Sequence, residues 1–120
     1  MKNVLLQPLE VCCSSPETGY FRDGYCRTDE RDEGRHVICA QVTEDFLVFT
    51  RERGNDLSTP RPEFGFPGLR PGDRWCLCAL RWKEAWLEGV APPVMIAACQ
   101  YSALEVISLE VLRENAVDLM

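Results

Sequence analysis

The stretch that most limits the fold runs from Gly54 to Cys78. It holds four of the chain's eight prolines and four of its eight glycines, with arginines, aromatic residues and a Cys-x-Cys pair. Proline fixes φ and removes a backbone donor, which excludes a regular helix or central strand across residues 55–72. About 18 residues without periodicity exceed the usual connection, and loops of that length are functional or disordered. Leu57, Phe64, Phe66 and Leu69 supply apolar anchors, and Pro60, Pro62, Pro67 and Pro71 restrict the backbone. The expectation is an ordered loop at about 55–72, packed by its own side chains.

After this loop Asp73 reads as a helix N-cap. Trp75, Cys78, Ala79, Trp82, Ala85 and Trp86 then recur at helical spacing, and Gly89 stops the run. The pattern predicts one helix over 74–88. The competing pattern is a strand over 75–80 followed by a shorter helix from Arg81. On either reading the three tryptophans fill the core.

Upstream, residues 1–19 read as a loose lead-in broken by Pro8, Pro16 and Gly19. Tyr20–Cys26 reads as a small hairpin turning at Asp23-Gly24. Residues 27–35 carry mixed charge and no apolar residue, the mark of a solvated loop. His36–Val42 alternates like a strand. Thr43 caps a helix with Glu44 and Asp45 in its first turn, Phe46, Phe49 and Thr50 facing inward, and Gly54 as terminator. Downstream, Val94–Ala98 reads as a strand buried on both faces, Glu105–Ile107 as a short strand, and Ser108 as the cap of a last helix. With no repeat or composition shift, residues 1–120 form a single α+β domain. A short mixed sheet is packed by about three helices.

An apolar content of 46% and a charged content of 27% mark a chain that buries a core rather than a disordered one. The net charge of −6 argues against a nucleic-acid partner, which needs a basic surface to displace counterions. No apolar run approaches the ~20 residues of a membrane span, and the N-terminal residues lack a signal-like apolar core. The expected setting is cytoplasmic, with the seven cysteines reduced.

Three sets of residues are candidates for chemistry. The first is an anion site on the loop and the following helix N-terminus. There Arg61, Arg70 and Arg74 would hold a carboxylate or phosphate, and Asp56, Ser58, Thr59, Glu63 and Asp73 would orient it. The competing account is that these polar groups bond the loop to itself, since a long loop has no ladder for its backbone groups. The second is a thiol: Cys76 in the first turn of the predicted helix, with His36, the one histidine, as its base. The third is a metal. Zinc sites use Cys-x2–4-Cys knuckles, whereas this chain has Cys-Cys and Cys-x-Cys. On a helix Cys76 and Cys78 point about 200° apart; on a strand they would share a face. No metal ligand set and no cofactor are assigned.

The motif residues themselves resemble a family. Gly54–Phe64 and Phe66–Ala79 look like its hallmark. Further matches are Pro8-Leu9-Glu10, Thr18-Gly19, Phe21-Arg22-Asp23-Gly24, Asp32, Gly34, His36, Cys39-Ala40, Arg81-Trp82 and Ala91-Pro92-Pro93-Val94. The chain is identified as a member of a bacterial family classed as domain of unknown function number 2237, and the resemblance implies no activity. By resemblance Cys12, Cys26, Cys39, Cys76, Cys78 and His36 fall on motif positions, whereas Cys13 and Cys99 belong to this chain. Where the family pattern carries a further cysteine and a histidine, this chain has Tyr25 and Gln100.

The leading expectation is a non-catalytic binding domain with its site at residues 55–74, taking a small anionic ligand or an acidic protein partner. The alternative is a thiol-based redox or metal protein using Cys76, Cys78, Cys39 and His36.

Overall fold

The computed structural model describes residues 1–14 and 18–118. Two antiparallel strands, β1 (His36–Gln41) and β2 (Arg74–Cys78), form the sheet, and three helices accompany it: α1 (Glu44–Glu52), α2 (Ala79–Leu87) and α3 (Leu109–Glu114). The class is α+β, with a sheet that is two-stranded and antiparallel rather than mixed.

The residues around β1 behave as their local chemistry dictates. Val37 to Ala40 are fully buried. Thr43 then caps α1, its hydroxyl accepting the Phe46 N–H at 3.1 Å. Phe46, Leu47 and Thr50 form the buried stripe, and Phe49 is half-buried. Ser108 caps α3 in the same way, accepting from Val111 N–H at 3.3 Å.

The helix expected over 74–88 is corrected. Residues 74–78 are the strand β2, paired Ile38 to Leu77, Cys39 to Cys76 and Ala40 to Trp75, with a bulge between His36 and Ile38. The helix begins at Ala79. Tertiary pairing decides this: a strand beside β1 satisfies both ladders and buries Trp75, Cys76 and Leu77 consecutively, which a helix stripe cannot do. Asp73 caps no helix; its carboxylate accepts the Arg70 N–H at 2.9 Å and closes the turn into β2. Within α2, Ala79, Trp82 and Ala85 are buried, and the Trp82 indole N–H donates to Pro92 O at 3.0 Å.

Three further expectations differ. Tyr20–Cys26 contains no strand, because its backbone partners lie elsewhere: Gly24 O accepts from Cys12 N–H at 2.7 Å and Gly24 N–H reaches Thr18 O at 2.9 Å. Val94–Ala98 is not a strand. Val94 makes single bridges to Ala40 and Ala116, and the Asp118 carboxylate then accepts Ile96 and Ala97 N–H groups and draws residues 96–98 into a 3-10 turn. Glu105 ends a further 3-10 turn over Tyr101–Glu105, with Val106 as its C-cap, and Glu105–Ile107 forms no strand. The lead-in is also tighter than expected. Asn3 is fully buried, accepts from Leu5 and Gln7 N–H groups and donates to Ala97 O at 3.0 Å. Ser15, Pro16 and Glu17, where a turn was expected, lie outside the described residues.

Candidate functional site

The long loop is ordered by its own side chains. Asp56 Oδ1 accepts Ser58 N–H at 2.9 Å and Thr59 N–H at 3.2 Å, and Asp56 Oδ2 accepts the Thr59 hydroxyl at 2.6 Å. The Thr59 bond foremost, then those from the backbone, holds the Asp56 carboxyl below the usual carboxylate range. Leu69 N–H donates to Leu57 O at 2.8 Å, and Gly68 packs so closely that a Cβ there would lie 2.6 Å from Ser58 O. A 3-10 turn, Pro62–Phe64, closes the Arg61–Phe66 bridge, with Gly65 in the left-handed conformation.

Folded in this way, the loop forms one side of a cleft of about 310 Å³. Asp56, Leu57, Arg61, Phe64 and Phe66 come from the loop, Gly19, Tyr20 and Arg22 from the preceding turn, His36 from β1, and Trp75 and Cys76 from β2. Phe66 meets the Trp75 ring edge-on, with centroids 5.1 Å apart, and the Arg22 guanidinium lies 5.1 Å from the Trp75 ring centre. Arg22 holds φ at 55°, a left-handed conformation that costs a β-carbon residue of the order of 1 kcal/mol. Neither Arg22 nor Arg61 pairs with a carboxylate among the described residues.

His36 is fixed from behind. Its Nδ1 lies 2.6 Å from Asp32 Oδ1, and its backbone N–H donates to Asp32 Oδ2 at 2.9 Å. Thr28 donates a further bond to Asp32 Oδ2 at 3.0 Å. Asp32 is thus a buried exception within a loop expected to be solvated. With Nδ1–H directed at the carboxylate, Nε2 is the free nitrogen. Tyr20 stacks beside the ring at 6.4 Å.

The structure sorts the loop candidates. Arg61 and Asp56 line the cleft, although the Asp56 carboxylate is committed to the loop. Ser58 and Thr59 bind Asp56, and Asp73 binds Arg70 N–H. Glu63 and Arg70 are exposed, and Arg74 lines a separate groove with Cys13, Gly72 and Asp73. Since residues 74–78 are a strand, no helix N-terminus follows the loop. Tyr20, Arg22 and Trp75 complete the cleft without having been singled out as site residues. The aromatic and basic run Tyr20-Phe21-Arg22 was the available signal.

The cysteines are corrected more sharply. Four are paired, Cys12 with Cys39 and Cys26 with Cys76, where reduced thiols were expected. Cys13 and Cys78 are free and half-buried, and Cys99 is free and buried. Burial pushes the Cys99 thiol up to about 12. Of the thiol candidates Cys76, Cys78, Cys39 and His36, the sheet register makes two pairs, Cys39 with Cys76, each already in a disulfide to another residue, and His36 with Cys78. His36 and Cys78 are cross-strand partners, and a Cβ on Gly34 would lie 3.2 Å from His36 Cε1 and 3.3 Å from Cys78 Sγ. On β2, Cys76 and Cys78 are on the same face, the reverse of what a helix would give.

The chain belongs to the family described as an uncharacterized protein conserved in bacteria, whose model matches residues 2–116. No curated protein matches it. Among the described residues no helix is long and apolar enough to cross a membrane.

Proposed function

From membership of a family whose description assigns no activity, we propose that the domain binds a small anionic ligand with a flat or apolar body in the cleft between Tyr20 and Phe66. The observation that carries this reading is the presence of Arg22 and Arg61, from two separate loops and free of carboxylate partners among the described residues, at one aromatic-floored cleft. Arginine offers a planar, bidentate fork to carboxylate or phosphate. Trp75 and Phe66 offer apolar faces to the body of the ligand, and the free Nε2 of His36 adds a polar anchor. The cleft is at the small end of ligand pockets, which favours a metabolite-sized compound over an acidic protein segment. The proposed setting is the cytoplasm, where the two disulfides would be held reduced.

A thermal-shift screen with benzoate, phenyl phosphate and inorganic phosphate tests this. Stabilisation by an aromatic anion that disappears in Arg22→Ala and Arg61→Ala supports the reading. Stabilisation retained in both variants removes the site.

A second reading is favoured by Asp32, His36 and Cys78. A buried carboxylate orients an imidazole whose cross-strand partner is a free thiol at the N-cap of α2. That order, orienting acid, base and sulfur, suits nucleophilic thiol chemistry. Alkylation of Cys78 followed against pH in the wild type and in His36→Gln tests it. Identical profiles would leave Cys78 a packing residue.

A further inference from the structure

Four sulfurs gather beneath the floor of the cleft. The Sγ atoms of Cys12, Cys26 and Cys39 all lie within 4.8 Å of one another, and Cys76 Sγ is bonded to that of Cys26. They come from four separate segments: the lead-in, the stretch after the Tyr20 turn, β1 and β2. The fold collects them, and each is no more than 2% exposed. Two disulfides account for each sulfur's present partner, but do not require both bonds to lie at one point. Cys39 and Cys76 are register partners across the sheet, which fixes half of the cluster on a rigid element.

We propose that, once reduced, Cys12, Cys26, Cys39 and Cys76 form a four-thiolate site for one divalent ion of the zinc class. A tetrahedral zinc site with Zn–S bonds of about 2.3 Å sets its sulfurs about 3.8 Å apart; Cys12, Cys26 and Cys39 are already grouped within 4.8 Å, and Cys76, released from Cys26, has to turn its side chain toward them. Four sulfurs and no oxygen ligand exclude calcium and magnesium as occupants. A dithiol reductant gives each disulfide two electrons and two protons, and is itself oxidised to a disulfide. The four thiols then release four protons as the ion binds, leaving a complex with a net charge of −2. The same four residues thus hold the lead-in and the Tyr20 segment against the sheet in two ways: by covalent bonds under oxidising conditions and by a metal under reducing ones. The set differs from the thiol group of the alternative reading, since it excludes His36 and Cys78.

The test is cobalt titration of the full chain after reduction with a water-soluble phosphine and anaerobic desalting. The expected result is one cobalt per chain, with the visible absorption of tetrahedral thiolate-bound cobalt, lost on adding zinc. The disulfide-bonded protein shows none. In the zinc-loaded protein, alkylation mapping finds Cys12, Cys26, Cys39 and Cys76 protected. Cys13→Ala/Cys78→Ala binds as the wild type does, and Cys39→Ser in that background loses more than about tenfold in affinity. A reduced chain that takes up no cobalt, folded or unfolded, overturns the proposal. Protection that maps to Cys13 and Cys78 also overturns it.

Discussion

Cys39 and Cys76 face each other as direct partners across the β1–β2 ladder, yet neither bonds to the other. Each reaches out of the sheet, Cys39 to Cys12 with Cα atoms 5.7 Å apart and Cys76 to Cys26 with Cα atoms 5.3 Å apart. The sheet is thereby pinned to the lead-in on one strand and to the Tyr20 segment on the other. The second of those segments carries Arg22 into the cleft, which links the sulfur chemistry to the proposed site.

Removing either disulfide is therefore expected to destabilise the oxidised protein strongly. The sequence separations are 27 and 50 residues, and loop-closure entropy assigns them about 3.5 and about 4 kcal/mol. Urea unfolding of Cys12→Ala/Cys39→Ala and of Cys26→Ala/Cys76→Ala checks this, with the larger loss expected in the second.

Gly19 and Gly72 make a matched pair of probes. Both have positive φ, 101° and 98°, so alanine at either is strained by about 1–3 kcal/mol. At Gly72 a Cβ meets nothing within 4 Å, whereas at Gly19 it would lie 2.2 Å from Tyr25 O. Gly72→Ala is expected to lose only the strain, and Gly19→Ala more than about 4 kcal/mol. Equal urea midpoints for the two variants would contradict the packing of the Tyr20 turn.

Asp32 accepts bonds from Thr28, from the His36 backbone and from the His36 ring. Asp32→Asn retains the shape but turns an N–H₂ group toward one of these donors. It is expected to cost about 1–3 kcal/mol in urea unfolding and to free the His36 ring to rotate. The ring signals of His36 in an NMR spectrum report the second effect separately from the first.

Cys99 gives a pH signature. Its thiol is raised from 9.0 to about 12 in the folded chain, chiefly by burial. Between these values the unfolded chain loses a proton that the folded chain keeps. The contribution is therefore intact below pH 9 and declines as pH rises toward 12, by up to about 1.4 kcal/mol per pH unit. Stability against pH is expected to fall more steeply in the wild type than in Cys99→Ala across that window.

Some local signals in the chain were legible where the partner is near in sequence, although Asp73, whose partner is Arg70, was read as a helix cap. Thr43 and Ser108 each accept the backbone N–H three residues ahead, and both helices begin at the residue that follows the cap. The Asn55–Gly72 loop is ordered, as its prolines and the anchors Leu57, Phe66 and Leu69 imply, whereas Phe64, expected to be a further anchor, is exposed. Trp75-Cys76-Leu77-Cys78 was misread because helical spacing from Trp75 to Trp86 continues through it, while the β1 ladder that claims it begins some 35 residues earlier. The disulfides were illegible for the same reason: Cys12, Cys26, Cys39 and Cys76 show no spacing that predicts their meeting. In the cleft, Arg61 was visible as an unusual loop arginine. Arg22 and Trp75 were not, because one sat in an expected hairpin and the other in an expected helix stripe.

Arg22, Arg61 and Trp75 are proposed to form one binding surface. Titration of labelled protein with phenyl phosphate, followed by two-dimensional NMR, tests it most directly. Saturable shifts are expected in the Trp75 indole and in the backbone of Gly19 to Arg22, Asp56 to Arg61 and Phe66, with little change around Arg74. Shifts confined to the Arg74 groove, or none at all across the anion panel, would contradict it.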